Sequence, residues 1–245
     1  MFISLSGQLG SGKSTLSAHL KEKRGFEIFS TGTIMRRLAK ERNVSVLEFN
    51  KLIGGDRAVD ELIDGEMKKY AACHEDGDVI FDSRLAWHFV PKSFKVFLAV
   101  SPKEAAERVF SNRILEEEKY ATKETALSEL LERRSEEIKR FKDFYGVDCD
   151  DYGNYDVIVD TSELTTHEIS DIILKVYEYN IQKRPHAKLY LSPKNISIAK
   201  NAKKDGELTV EKDGHGFVLV EGSAILEKAI REGKRVTEAK LKVES

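Results

Sequence analysis

Two cysteines, four prolines and one tryptophan are spread over 245 residues, and neither charge sign dominates. Cys73 and Cys149 lie far apart with no CxxC pairing, which excludes a disulfide scaffold and suits a reducing compartment. No apolar run approaches the roughly 20 residues of a membrane helix. The first apolar stretch stops at Gly7, too short for a secretory leader, so a soluble cytoplasmic protein is expected. Lys+Arg number 40 against 42 Asp+Glu, a net charge of −2, so bulk charge gives no support to a nucleic-acid partner. His19, His74, His88, His167, His186 and His215 follow no metal-ligand spacing and read as structural or solvated.

What is present is a set of short apolar runs separated by longer helical patterns. Phe2, Ile3 and Leu5 form the first run; others occupy residues 26–29, 79–81, 95–100 and 156–159. Leu127, Leu130, Leu131, Ile138 and Phe141 share one helical stripe, as do Ile169, Ile172, Ile173, Val176 and Tyr177. Ser101-Pro102-Lys103-Glu104 and the pair Thr165 and Glu168 mark helix starts. Strands alternating with helices predict an α/β fold: a parallel five-stranded sheet with helices on both faces.

The character changes near residue 183. Beyond it, a hairpin over 207–221 turns through Asp213-Gly214-His215-Gly216, and a helix over 225–231 closed by Gly233 precedes a strand over 236–243. Residues 183–245 carry 14 basic against 9 acidic side chains, an excess of +5, which leaves −7 on the rest. The expected division is therefore 1–182 and a small α+β, ββαβ-type module at 183–245.

Gly7-Gln8-Leu9-Gly10-Ser11-Gly12-Lys13-Ser14 satisfies GxxxxGK[ST], and Thr15 follows. Glycines let successive backbone N–H groups turn inward on phosphate oxygens, and the next helix points its positive end there. Lys13 reaches the β- and γ-phosphates of ATP, and Ser14 offers a hydroxyl to Mg²⁺. A chance match in a chain this long has odds on the order of one in a hundred. Asp82, at the end of the apolar run 79–81, is the expected second metal-side oxygen.

Further segments carry a resemblance. Ser30-Thr31-Gly32-Thr33-Ile34-Met35-Arg36 resembles the STGxxxR segment of nucleoside monophosphate kinases, which implies acceptor binding by Thr31, Gly32 and Arg36. Asp82-Ser83-Arg84-Leu85-Ala86-Trp87 resembles the acid-x-Arg segment that reaches the acceptor phosphate. Together with residues 38–42 and Arg134-Ser135-Glu136, Arg140-Phe141 and Tyr145-Gly146, it is similar to compact archaeal-type cytidylate kinases over roughly residues 1–180. The resemblance implies a P-loop kinase with ATP and Mg²⁺ as donor, and a small nucleotide acceptor such as CMP. It also implies a lid between the fourth and fifth strands. Arg133, Arg134 and Arg140 are its stronger candidates, Arg108 and Arg113 its weaker ones. Lys13, Arg84, Arg134 and Arg140 make up the expected catalytic set.

An acceptor monophosphate is a dianion, and paired arginine forks suit it independently of any family. Asp60 and Asp64, at helical spacing within residues 53–67, are candidate readers of a cytosine amino group, against the alternative of a solvated acidic face. Trp87 is read as packing, and Asp160-Thr161-Ser162 as a loop near the donor adenine. No extra nucleotide-binding insertion fits between Arg36 and Val79. Residues 216–229 have a weak likeness to the strand–Gly–helix segment of ParB-like domains but lack its arginine, so a packing, dimerisation or protein-contact role is expected there. Two other readings stay open: a kinase for another small metabolite, and an ATP sensor acting through its tail.

Overall fold

Short strands of buried β-branched and aromatic residues alternate with amphipathic helices in the computed structural model, which describes residues 1–44, 48–49, 52, 57–111, 122–214 and 216–242. Arg113, Ile53, His215 and Val243 lie outside the described residues. In chain order the first part runs β1 (Phe2–Gly7), α1 (Lys13–Arg24), β2 (Glu27–Ser30), α2 (Thr31–Glu41), α3 (Arg57–Cys73), β3 (Val79–Asp82) and α4 (Ala86–Phe89). It continues with β4 (Phe94–Ala99), α5 (Pro102–Ser111), α6 (Lys123–Tyr145), β5 (Val157–Asp160) and α7 (Thr166–Ile181). These strands pair in parallel in the order β2-β3-β1-β4-β5.

The order places β1 where the chain switches direction across the sheet, with β3 on one side and β4 on the other. In such sheets the loops leaving the carboxyl ends of the switch-point strands part from one another and open a crevice. Here those loops are residues 8–12 and 83–85. Along β1, Ile3 and Leu5 face one core with Leu16 and Leu20 of α1 and Ile169, Ile173 and Val176 of α7. Ser4 and Ser6 alternate with them and are buried on the opposite face. Of the two marked helix starts, Thr165 and Glu168 form the full reciprocal box, and Ser101 caps α5 through the Glu104 N–H at 3.3 Å. Glu104 turns instead to Arg108. One stripe residue departs from its pattern: Leu131 is 37% exposed, while Arg134 on the same helix is buried.

The parallel sheet is longer than the five strands expected. After α7, β6 (Leu189–Leu191) pairs in parallel with β5 and antiparallel with β10 (Thr237–Leu241). Beyond β10 come β8 (Thr209–Asp213), β9 (Gly216–Glu221) and the edge strand β7 (Ile196–Lys203), with α8 (Ser223–Arg231) leading into β10. The expected hairpin, helix and last strand are all present, and β6 and β7 are additions. One apolar core crosses residue 183. Trp87, Phe97, Phe141, Tyr152 and Ile158 pack with Leu189, Val210, Phe217, Leu219 and Leu226. No helix among the described residues is long and apolar enough to cross a membrane.

A shared core predicts shared unfolding. Leu219→Ala is expected to lower the stability of the whole chain by about 2–5 kcal/mol in a single urea transition. A chain ending at residue 182 is expected not to give a cooperatively folded protein. Two separate transitions, with only one moved by the substitution, would contradict this.

Candidate functional site

At the end of β1 and in the loop after it, Gly7 and Gly10 have no room for a side chain. Gly7 has φ 149° and Gly10 φ 73°. A Cβ on Gly7 would strike the Leu98 carbonyl, and one on Gly10 would lie 2.9 Å from the Ala105 Cα. Gly12 then caps α1 with no side-chain oxygen taken up by the first helical N–H groups. Those free donors and the helix dipole make an anion seat, with Ser14 and Thr15 exposed at its rim. Lys13 Nζ turns back onto the loop, donating to the Gly7 and Gln8 carbonyls at 3.2 and 3.0 Å. Burial, followed by the nearby Arg84 charge, holds its ammonium well below the usual lysine range.

Hydrogen bonds tie this loop to its neighbours. Ser6, one of the two buried serines of β1, directs Oγ at the Ser83 and Arg84 carbonyls, both at 3.0 Å. Arg108 brackets the other side: its guanidinium donates to Gly10 O at 3.4 Å and to Thr161 Oγ1 and O at 3.1 and 2.7 Å. Thr161 also bonds Ser11 O at 3.1 Å. Arg108 therefore welds the phosphate loop to the Asp160-Thr161-Ser162 turn, a structural task its helix position did not disclose.

Ser14 Oγ donates to Asp82 Oδ2 at 3.4 Å. A hydroxyl and a carboxylate so placed suit a hard cation that keeps phosphate and water oxygens as its other ligands. Among the described residues, no group of three or more His, Cys, Asp or Glu forms a protein-only metal cage. Beside Asp82, Ser30 of β2 sits in register with it, and Thr31 Oγ1 donates to the Asp82 carbonyl at 3.4 Å. The start of α2 and the end of β3 thus emerge together. Arg36, exposed one turn into α2, donates to Thr33 Oγ1 at 3.2 Å, with its Nη1 3.6 Å from where a Gly32 Cβ would stand.

Arg84 is drawn under α6. Its Nε donates to Glu137 at 2.9 Å, and Glu137 also lies 3.8 Å from Arg133 Nε and 3.6 Å from Arg134 Nη1. Burial alone would raise the Glu137 carboxyl; Arg84, Arg133 and Arg134 overturn that and lower it to about 2. Arg134, only 4% exposed, also donates to Asp150 and lines a small apolar pocket beside Gln8 and Leu9. Burial opposes its charge, and Asp150, Cys149 and Glu137 together push its pKa up. Among the described residues its Nε and Nη1 have no hydrogen-bond acceptor, a cost on the order of 1–3 kcal/mol each that a phosphoryl oxygen could relieve.

Glu137 and Asp150 were not singled out from the sequence. The spacing of Glu137 from Arg133 and Arg134 was visible, but its bond to Arg84 spans 53 positions and leaves no local pattern. Trp87 packs edge-on to Tyr155 at 5.9 Å and is 8% exposed, as its packing assignment requires.

The two carboxylates of α3 turn toward α6. Asp60 lies 3.8 Å from Arg140 Nε, and Asp64 accepts from Tyr145 Oη at 2.6 Å. Burial pushes Asp64 up to about 6 despite that bond. Its folded state therefore takes up a proton near pH 6, whereas the unfolded chain does so only near 4. Between those values the folded state holds more protons, so stability rises as pH falls. Relative to Asp64→Asn, the unmodified protein is expected to gain stability as pH drops from about 7 to about 4.5, read from paired urea titrations. A difference that stays flat with pH would remove the assignment.

The cytidylate kinase-like family matches residues 2–163. A cytidylate kinase of Methanosarcina barkeri is 34% identical over 176 residues, covering 71% of this chain and 94% of that protein. An S-adenosylmethionine-dependent nucleotide dehydratase of Lacinutrix mariniflava is 31% identical over 77% of this chain, which spans only 39% of that protein's length. A crystal structure of an uncharacterized protein from Eubacterium ventriosum shares the fold, with TM-score 0.53 and 14% identity over 73% of this chain and 98% of that one. With its phosphate loop, its acid at the end of β3 and this match over its first two thirds, the chain belongs to the cytidylate kinase-like family.

Proposed function

We propose that the chain transfers the γ-phosphoryl group of ATP to CMP or dCMP, giving ADP and the nucleoside diphosphate. The observation that carries this reading is the meeting of the phosphate loop with Arg84 and Arg134 around one half-buried carboxylate, Glu137. In a family whose Methanosarcina barkeri member is named a cytidylate kinase, that meeting favours an anionic acceptor opposite the ATP triphosphate.

The roles follow from chemistry. The loop amides at Gly7, Gly10, Ser11 and Gly12, with Ser14 and Thr15, hold the donor phosphates, and Lys13 stabilises charge on the group in flight. Ser14 and Asp82 would hold Mg²⁺, which would supply positive charge against the donor phosphates. Arg36 and Arg84, with Thr31 and Gly32, orient the acceptor phosphate. Arg134 and Arg140 supply cations from α6, and Asp60 and Asp64 border the acceptor base. An acceptor phosphate is already a nucleophile, so the residues need to position it, exclude water and offset charge rather than remove a proton. The protein is expected to work in the cytoplasm, and its C-terminal segment is the expected surface for a second copy or a protein partner.

An acceptor panel tests the reading directly. In a coupled assay of ADP release, CMP and dCMP are expected to give rates well above the blank, and above UMP, AMP and shikimate. Rates no higher than the blank with both cytidine nucleotides would end it.

Arg84→Ala separates turnover from simple ATP binding. Loss of a charge-assisted bond predicts acceptor affinity weaker by roughly 1–3 kcal/mol, with ATP affinity within about twofold of the parent. An ATP sensor with no acceptor would show no acceptor-dependent change.

A further inference from the structure

The family match stops at residue 163, and the Methanosarcina barkeri relative is nearly spanned by 176 aligned residues. The strands and helix after α7 therefore need a role of their own. Among the described residues, Lys194, Arg235 and Lys212 reach from this segment to charged side chains of the first part, and Lys212 does so beside the crevice. Lys212, on β8, donates from Nζ to the Asp150 carbonyl at 2.7 Å and lies 3.9 Å from the Asp150 carboxylate. Its ammonium sits 5.0 Å over the Tyr152 ring, which stacks on Phe217 of β9 at 5.5 Å. Asp150 in turn holds Arg134.

Charges thus alternate from the C-terminal hairpin to the crevice: Lys212, Asp150, Arg134, Glu137, Arg84. We propose that Lys212 is a positioning residue for phosphoryl transfer, acting through Asp150 on Arg134. This rests on the kinase reading of the crevice.

Two physical effects carry the coupling. The bond to the Asp150 carbonyl adds a brace to a turn that also carries local bonds, Asp150 N–H to Asp148 at 2.8 Å and Asn154 to the Asp148 carbonyl at 3.0 Å, and bonds from Tyr155 to the Cys149 carbonyl at 2.8 Å and from Lys188 to the Gly153 carbonyl at 3.3 Å. The second effect is electrostatic. Lys212 shares the Asp150 carboxylate with Arg134, and in a half-dry setting a charge about 4 Å away changes how tightly that carboxylate holds its other partner. Without Lys212 the turn loosens while Asp150 draws more strongly on Arg134. The guanidinium is then held away from the phosphoryl group at the moment its charge is needed. Substrate binding by the phosphate loop and Arg36 is untouched, so the effect falls on kcat.

The test compares Lys212→Met, Lys212→Arg and Arg134→Lys in the full-length chain. Lys212→Met is expected to lower kcat by about tenfold, with KM for ATP and for CMP within about twofold, as for loss of an interaction felt only in the transition state. Lys212→Arg is expected to restore most of it. In the Arg134→Lys background, Lys212→Met should have no further effect. An independent readout is the Arg134 Nε–H resonance, assigned by its loss in Arg134→Lys, which should shift in Lys212→Met and return in Lys212→Arg. An unchanged kcat, an equal loss in both backgrounds, or an unmoved Arg134 resonance would each overturn the proposal. Silence toward every acceptor would reject the kinase reading instead, and the Arg134 resonance would then decide the coupling by itself.

Discussion

Glu137 occupies a position that would be intolerable for a lone carboxylate. It is half-buried on α6, and that loss of solvent by itself penalises its charge; three guanidiniums reverse the balance. The dependence runs both ways. Arg84, Arg133 and Arg134 would repel one another across the crevice without a shared anion between them. Removing the carboxylate would leave like charges facing each other, and neutralising the arginines would strand a half-buried anion. The cluster therefore joins the loop after β3 to the helix over the crevice, and it does so next to the loop that seats phosphate.

That joint rests on buried, paired strands beneath it. β1 sits between β3 and β4, and its two buried serines on one face leave room for Ser6 to hold the carbonyls of Ser83 and Arg84. On the far side Arg108 and Thr161 clamp the phosphate loop to the turn after β5. Asp160, at that turn, is buried and accepts from Ser162, Ser192 and Asn195, so the same turn is bonded into the chain beyond α7. A phosphate seat needs backbone N–H groups held in one arrangement before the ligand arrives, since any reordering would be subtracted from binding and from rate. Each of these bonds removes one way for the loop to relax.

The segment after α7 is part of this framework through both its sheet and its core. β6 continues the parallel sheet, β10 reverses direction on it, and the apolar side chains of β8, β9 and α8 complete the face that Phe97, Tyr152 and Ile158 present. Strand β6 is three residues long, and its Leu-Tyr-Leu run follows a basic stretch with no alternation to mark it. Such a strand is stabilised by its neighbours on both sides, which is why a division near residue 183 suggested itself from composition while the sheet passes straight through.

Much was legible in the residues alone. The phosphate loop is a local motif whose glycines are required by backbone geometry within eight positions, and the acid closing the apolar run 79–81 is equally local. The first five strands, the Thr165 capping box and the pairing of β8 with β9 also follow from neighbours in sequence, because periodicity, caps and hairpins are short-range physics. Arg36 and Arg84 stood out as cations placed after two strands. Their partners did not. Whether Arg84 meets Glu137, Arg134 meets Asp150 or Lys212 meets Asp150 depends on which strand lies beside which and on where α6 crosses the sheet. Those are long-range pairings, decided only when burial brings distant side chains into a medium where each charge must find an opposite one.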